Sequence, residues 1–454
     1  MNTQSLDTPE NSSLNFTKKG LALLIIPLMI EQTLTSLMGV ADTLMVSSAG
    51  EAAISGVTCM DTINVLIMYI FEALGMGGSV LTAQYIGRGD KSSVRSVVRQ
   101  LMTLELLSSA LITLLCFSFT GSLINLLYPS LEPAVYSAAF AYFRITALSN
   151  PFLALYSASA ALYRASGNAK LPVTVITAGN ILNIAGNALL IFVFHMGAVG
   201  AALATLFSRI FSCLVLLWLQ YRESSGISLR QIISVPFSLT QTGKILSIGT
   251  PTALENGMFQ FGKIIIQAIV VTLGTTAIAA QAITVQVETL GSRPAIAVGV
   301  ALVTVAGQCM GAGRPDLARK YTDDFLRVTY IICIITAPIF IYLVRPICAL
   351  TALSAEAAHL VFLLMAFICI AKIFLWPRAF LLQNCLKAAG DVKYPMWVVI
   401  ISMWIFRVCG ALLLCGVFRL GLWGVWIAWI TDWVVRVIFF SVRYHQGKWE
   451  KIRL

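Results

Sequence analysis

The chain has 454 residues, of which 58% are hydrophobic and only 11% charged, and its mean hydropathy is +0.86. That apolar share excludes a water-soluble globular domain as a description of the whole. The net charge of +11 does not mark a nucleic-acid binder, because Lys and Arg fall in short hydrophilic gaps between apolar stretches and form no basic surface.

The first apolar stretch begins near Gly20, runs past twenty residues and lacks a small-residue cleavage site, so it reads as a membrane span and not as a signal peptide. Further segments of helical length predict spans at about 20–47, 53–86, 99–127, 132–163, 171–195, 197–221, 244–273, 277–310, 324–346, 356–386, 394–417 and 420–443. Several exceed twenty residues, which predicts tilt or extension beyond the lipid. Alternate gaps carry twenty Lys and Arg, from Lys18 and Lys19 to Lys451 and Arg453, whereas the opposite gaps hold Arg345 and Arg419. Both termini are therefore expected in the cytoplasm of a multi-pass plasma-membrane protein. The ten Cys are scattered singly among apolar residues, as small buried hydrophobes would be.

The chain is written twice. Adding 224 carries Pro27 to Pro251, Glu31 to Glu255, Gly50 to Gly274, Gln84 to Gln308, Gly87 to Gly311 and Gly89 to Gly313, and a shift of 223 lays Arg164–Pro172 on Lys387–Pro395. Six is an even number of spans, so both copies insert the same way up, related by an axis along the membrane normal. The predicted fold class is an all-α polytopic membrane protein with twelve helices in two six-helix lobes. Its parts are a tail at 1–19, an N-lobe at 20–221, a cytoplasmic linker at 222–243, a C-lobe at 244–443 and a tail at 444–454. A central cleft between the lobes is the expected substrate path.

Polar residues inside the spans locate candidate chemistry, since an ionisable group in hydrocarbon costs about 2.5 kcal/mol or more. In the first span Glu31 and Asp42 lie eleven residues apart, which returns to nearly the same helical face roughly 16 Å further along, with Met38 between them. The seventh span carries a stripe of Asn256, Gln260, Lys263 and Gln267, with Glu255 and Phe259 beside it. Glu255 and Lys263 stand about 80° apart around the helix, too far for direct contact within it. Their alternatives are ion pairs to other helices or a cleft-facing site for a charged substrate. Glu288, near Gln281, Gln286 and Arg293, adds a second polar patch, while Asp432 and Arg436 form an i, i+4 pair expected to neutralise itself. Asp61, Glu72 and Glu105 are read as structural. In the fifth span Asn183 and Asn187 share a face and could either bond neighbouring helices or lend neutral oxygens to a cation held by Asp42.

The strings VADTLMV in the first span, GNILNIAGNALLIF and GAALAT in the fifth and sixth, and LGTTAIAAQAI followed by GQCMGAGRPDLAR resemble the multidrug and toxic compound extrusion family, MATE. The likeness covers nearly the whole chain, including its two-lobe plan. It implies a secondary antiporter, with no cofactor, that exports organic cations or other small amphiphiles in exchange for protons or sodium ions. It also implies coupling residues at Asp42, Asn183 and Thr205. Asn187 stands where many members have an aspartate, so a sodium site here would rest on Asp42 with neutral ligands. The second acidic site of some members, on spans 7 and 10, is not reproduced, because Glu255 lies about one turn early and Glu356 sits at an outer edge.

The expected substrate cleft comprises Glu31, Met38, Glu255, Asn256, Phe259, Gln260, Lys263, Gln267 and Glu288, in a monomer surrounded by lipid. Replacing Glu255 is expected to alter substrate range more than coupling. A flippase for lipid-linked saccharides is the alternative within transporters, and it would need more Arg and Lys in the cleft than Lys263 and Arg293. A membrane-embedded enzyme is disfavoured, since no nucleophile with a base and no HExxH or GxSxG is found.

Overall fold

The computed structural model describes residues 16–224, 226–232, 235–351 and 353–454. Most of the predicted amino-terminal tail, and Ser225, Ile233 and Ser234 of the predicted linker, lie outside the described residues. Twelve spans follow in order: Lys18–Ser47, Glu51–Gly87, Lys91–Leu127, the pair Pro133–Ala147 and Asn150–Ala165, Lys170–Asn187 continuing as Ala188–Val193, and Gly197–Arg222 form spans 1 to 6. Leu239–Val271, Thr275–Gly311, Pro315–Leu350, Ala355–Ala388, the run Lys393–Ile401, Ser402–Cys409 and Gly410–Gly416, and Leu422–His445 form spans 7 to 12.

Among the described residues, ten helices are long and apolar enough to cross a bilayer, and the pair of span 4, bent by 47°, makes an eleventh. Span 7, with 33 residues, completes the set; Glu255, Asn256, Gln260, Lys263 and Gln267 dilute its hydropathy. The helices outrun the predicted segments mainly where charged ends project past the lipid: span 3 begins at Lys91, capped by Asp90, whose Oδ1 accepts from the Ser92 and Ser93 N–H groups at 3.1 and 3.0 Å. The repeat is visible in the turns, because Gly50 and Gly274 have φ of 102° and 94°, and Gly89 and Gly313 have φ of 73° and 71°. Only glycine takes that backbone shape without strain, which explains why these positions match between halves.

Among the described residues, two stretches within the spans are wound as π-helix, Ala188–Val193 in span 5 and Ser402–Cys409 in span 11. Such bulges re-aim side chains and often mark functional positions. The first begins directly after Asn187, and the second carries Arg407.

Spans 1 and 2 pack against spans 7 and 8 across the junction of the lobes. Toward the face that carries the chain termini, the apolar core is continuous: Leu24, Val80 and Leu81 join Ile245, Val298 and Leu302. The far half of the N-lobe, built on Val57, Met60, Phe71 and Phe143, is a separate cluster. The lobes are therefore closed at the terminal face and parted toward the other.

A two-fold clasp makes that closure. Gln84 Nε2 donates to the Ala388 carbonyl at 2.9 Å, and its repeat mate Gln308 Nε2 donates to the Ala165 carbonyl at 2.8 Å. Between them, Gly87 faces the Gln308 carbonyl and Gly311 faces the Gln84 carbonyl, each with no room for a Cβ. Thr304 Oγ1 donates to the Arg164 carbonyl at 3.0 Å, and Arg88 Nη1 to the Leu454 carbonyl at 3.0 Å, so the C-terminus also bridges the lobes.

Candidate substrate and ion site

In the N-lobe the structure brings Asp42, Asn183, Asn187 and Thr205 together. Asn187 Nδ2 donates to Asp42 Oδ1 at 2.8 Å. The Asn183 amide fits two ways round. With its oxygen inward it accepts from Asn187 Nδ2 at 3.3 Å and its nitrogen donates to Thr205 Oγ1 at 3.4 Å. Turned over, Nδ2 donates to Asp42 Oδ1 at 2.9 Å, and the oxygen accepts from the Thr205 N–H at 3.3 Å. The second arrangement suits a bare carboxylate, which can only accept hydrogen bonds; the first sets two acceptor oxygens face to face and needs a proton or cation between them.

A cavity of about 210 Å³ opens beside these groups, lined by Asp42, Asn180, Asn183, Thr205, Ser208 and Arg209. Asp61 on span 2 lies within electrostatic reach of Asp42 and of Arg209. It accepts from Tyr142 Oη at 2.7 Å. Arg209 donates to Ser149 Oγ at 2.7 Å, at the bend of span 4. Asp61, read from sequence as structural, thus adjoins this pocket through the charges of Asp42 and Arg209. Arg209 was missed, although an Arg in the middle of an apolar span carries the same signal as Asp42.

Other expected site residues are placed as follows. Glu31 Oε1 lies 4.0 Å from Arg164 Nη1, and the adjacent Gln32 Oε1 accepts from Arg293 Nη1 at 3.3 Å across the lobe junction. Glu72 is exposed within the bundle, with Arg164, Arg293 and Glu31 in electrostatic reach. Met38 and Asn256 are partly buried, and Gln260 is bonded to Tyr69 of the opposite lobe. Lys263 and Gln267 are exposed.

Glu255 departs from its expected place in the cleft. It is 5% exposed, and its Oε1 accepts from Lys387 Nζ at 2.9 Å and Gln383 Nε2 at 2.6 Å. Its partner is on span 10, which the charge of Lys387, counted in sequence as a loop residue, concealed. Glu288 is likewise withdrawn from the cleft: it accepts from Ser292 Oγ at 2.6 Å and lies 3.5 Å from Lys372 Nζ. Asp432 pairs with Arg436 at 2.8 Å, as the spacing predicted, but also faces Arg407 at 3.7 Å. Phe259 packs under both guanidinium groups, 5.6 Å from Arg407 and 5.4 Å from Arg436.

Two lobes of six helices, a cleft closed at one face, and charged groups held inside the bundle define an integral membrane protein of the secondary-transporter architecture. A family model described as MatE matches residues 27–189 and 251–413, two blocks separated by 224 at both ends, and the chain belongs to that family. The "Probable multidrug resistance protein NorM" of Thermotoga maritima is 28% identical over 442 residues, covering 96% of this chain and 93% of its own length. The "Uncharacterized transporter YisQ" of Bacillus subtilis is 26% identical, with 93% of each chain covered. A solved "Outward-facing conformation of a multidrug resistance MATE family transporter of the MOP superfamily" superposes with a TM-score of 0.89 at 20% identity, covering 96% of this chain and 97% of that one. The twelve-span, two-lobe fold is thus that of MATE transporters.

Proposed function

We propose that the protein is an ion-coupled exporter of small amphiphilic or cationic compounds, working as a monomer in the plasma membrane with both termini cytoplasmic. The named relatives described as multidrug resistance proteins support the substrate class. The observation that carries the mechanism is the Asp42 carboxylate, held by Asn187 beside an internal cavity and faced by Asn183.

In this reading the clasp at Gln84 and Gln308 closes the cytoplasmic face, and the cleft is open outward. A proton or sodium ion entering at Asp42 converts the carboxylate from an acceptor of two amides into a group that needs their oxygens. Asn183 turns over, the contact with Asn187 is rebuilt, and span 1 repacks near Pro27, where one intrahelical bond is missing. Span 1 also touches Arg164 through Glu31 and Arg293 through Gln32, so a shift of this helix is felt at both lobes. Ion and substrate then favour different arrangements of one helix, and each weakens the binding of the other. The test is drug accumulation by everted membrane vesicles: Asp42→Asn should abolish gradient-driven transport while leaving the protein folded, and undiminished transport would refute the coupling role.

A further inference from the structure

The buried carboxylates of spans 7, 8 and 12 each have a cationic partner: Glu255 has Lys387, Glu288 has Lys372, and Asp432 has Arg407 and Arg436 together. Asp432 is thus one carboxylate shared by two arginines. Lys263, exposed on span 7, forms no ion pair or hydrogen bond among the described residues, and Arg293 donates to the neutral Gln32 with Glu72 in electrostatic reach. Arg407, Glu288 and Arg293 lie within electrostatic reach of Lys263. The arginines are also short of acceptors: Arg407 Nε, Arg436 Nη2 and Arg293 Nε are buried without a hydrogen-bond partner, although Arg407 and Arg436 are only 3% and 2% exposed. Each such donor is costly in a dry interior, and the positive charge there is only partly compensated by Asp432. Beside them stand Phe259 and Trp429, the latter 3.6 Å under the Arg407 guanidinium.

We infer that this wall of the cleft is an anion subsite: Lys263 and Arg293, backed by the Arg407 and Arg436 pair, receive an acidic group carried by an amphiphilic substrate whose apolar body packs near Phe259. The proposal rests on the export reading and narrows its substrates. Arg407 and Arg436 act through their field from behind Phe259, and Lys263 and Arg293 make the direct contacts.

The test uses purified full-length protein and two fluorescent probes with the same body, rhodamine B, which carries a carboxylate, and its ethyl ester, which does not. Binding is followed by fluorescence anisotropy with no ion gradient, so the result is independent of coupling. The wild type should bind the acid about tenfold more tightly than the ester, the scale of one charged hydrogen bond. Lys263→Met and Arg293→Met should erase the preference with little effect on the ester, and Lys263→Arg and Arg293→Lys should keep it. Acid binding equal to or weaker than ester binding, absent acid binding, or equal loss of both probes in the Met variants overturns the subsite. Failure of gradient-driven transport with the binding preference intact would instead refute the export reading.

Discussion

Glu255 on span 7 accepts from Lys387 on span 10 at 2.9 Å, and the residues one repeat earlier, Glu31 and Arg164, form the same pair at 4.0 Å. The same contact between the first and fourth helices of a six-helix unit occurs in both lobes, tight and buried in one, longer and partly exposed in the other. The side chains of the C-lobe pair are each 6% exposed; those of the N-lobe pair are 23% and 12% exposed.

That difference predicts different mutational behaviour. Glu255→Gln or Lys387→Met leaves a buried charge without its partner and should cost about 3–5 kcal/mol, read as a lowered melting temperature in detergent. The double variant should recover most of the loss. Glu31→Gln, at the longer and less buried contact, should cost less than either. Altered substrate range in Glu255→Gln without loss of stability would contradict the assignment.

The clasp at the terminal face predicts a conformational shift. Gly87 and Gly311 sit against the Gln308 and Gln84 carbonyls, so Gly87→Val or Gly311→Val should force the lobes apart on that side. A cysteine placed at Ala83, which touches Gly307, should then react with a membrane-impermeant thiol reagent added from the side of the termini, and remain protected in the parent protein. Unchanged protection in the Val variants would show that the clasp is not what closes this face.

Asn187 predicts an ion effect. Its Nδ2 lies 2.8 Å from Asp42 Oδ1, so Asn187→Asp sets two carboxylate oxygens where only a cation or a shared proton can reconcile them. Sodium affinity rises with ligand charge, and calorimetry should find sodium binding at least tenfold tighter in the variant at neutral pH. Unaltered or weaker binding would exclude a sodium role for this cluster.

Glu105 in span 3 has neither carboxyl oxygen hydrogen-bonded and is fully buried. It belongs to no site described above. Glu105→Leu should raise thermal stability by about 1–3 kcal/mol with transport unchanged, since it removes an unsatisfied polar group of similar volume. A fall in transport at normal expression would give Glu105 a functional role.

The fold was legible because its signals are local and repeated. Apolar length counts spans, and the left-handed glycines at Gly50, Gly89, Gly274 and Gly313 persist because no other residue fits those turns, which made the 224-residue period visible. The Asp42, Asn183, Asn187 and Thr205 cluster was legible through family likeness. Long-range pairing was not: Lys387, Lys372 and Arg407 reach their carboxylates across helices, and nothing in the spacing of Glu255 or Glu288 names a partner more than eighty residues away. Asp42 itself had a sharper signature, since its repeat position is Ile266, buried in the C-lobe core. Unlike Glu288 and Asp432, which also lack acidic twins, Asp42 has no cationic ion-pair partner among the described residues, and ion coupling is the task proposed for it.

The most direct test of that task is ethidium transport in proteoliposomes of wild type and Asp42→Asn under separately imposed proton and sodium gradients. The account predicts that one of the two gradients drives transport by the wild type and that neither drives it in the variant. Equal gradient-driven transport by the variant, or no response of the wild type to either gradient, would contradict it.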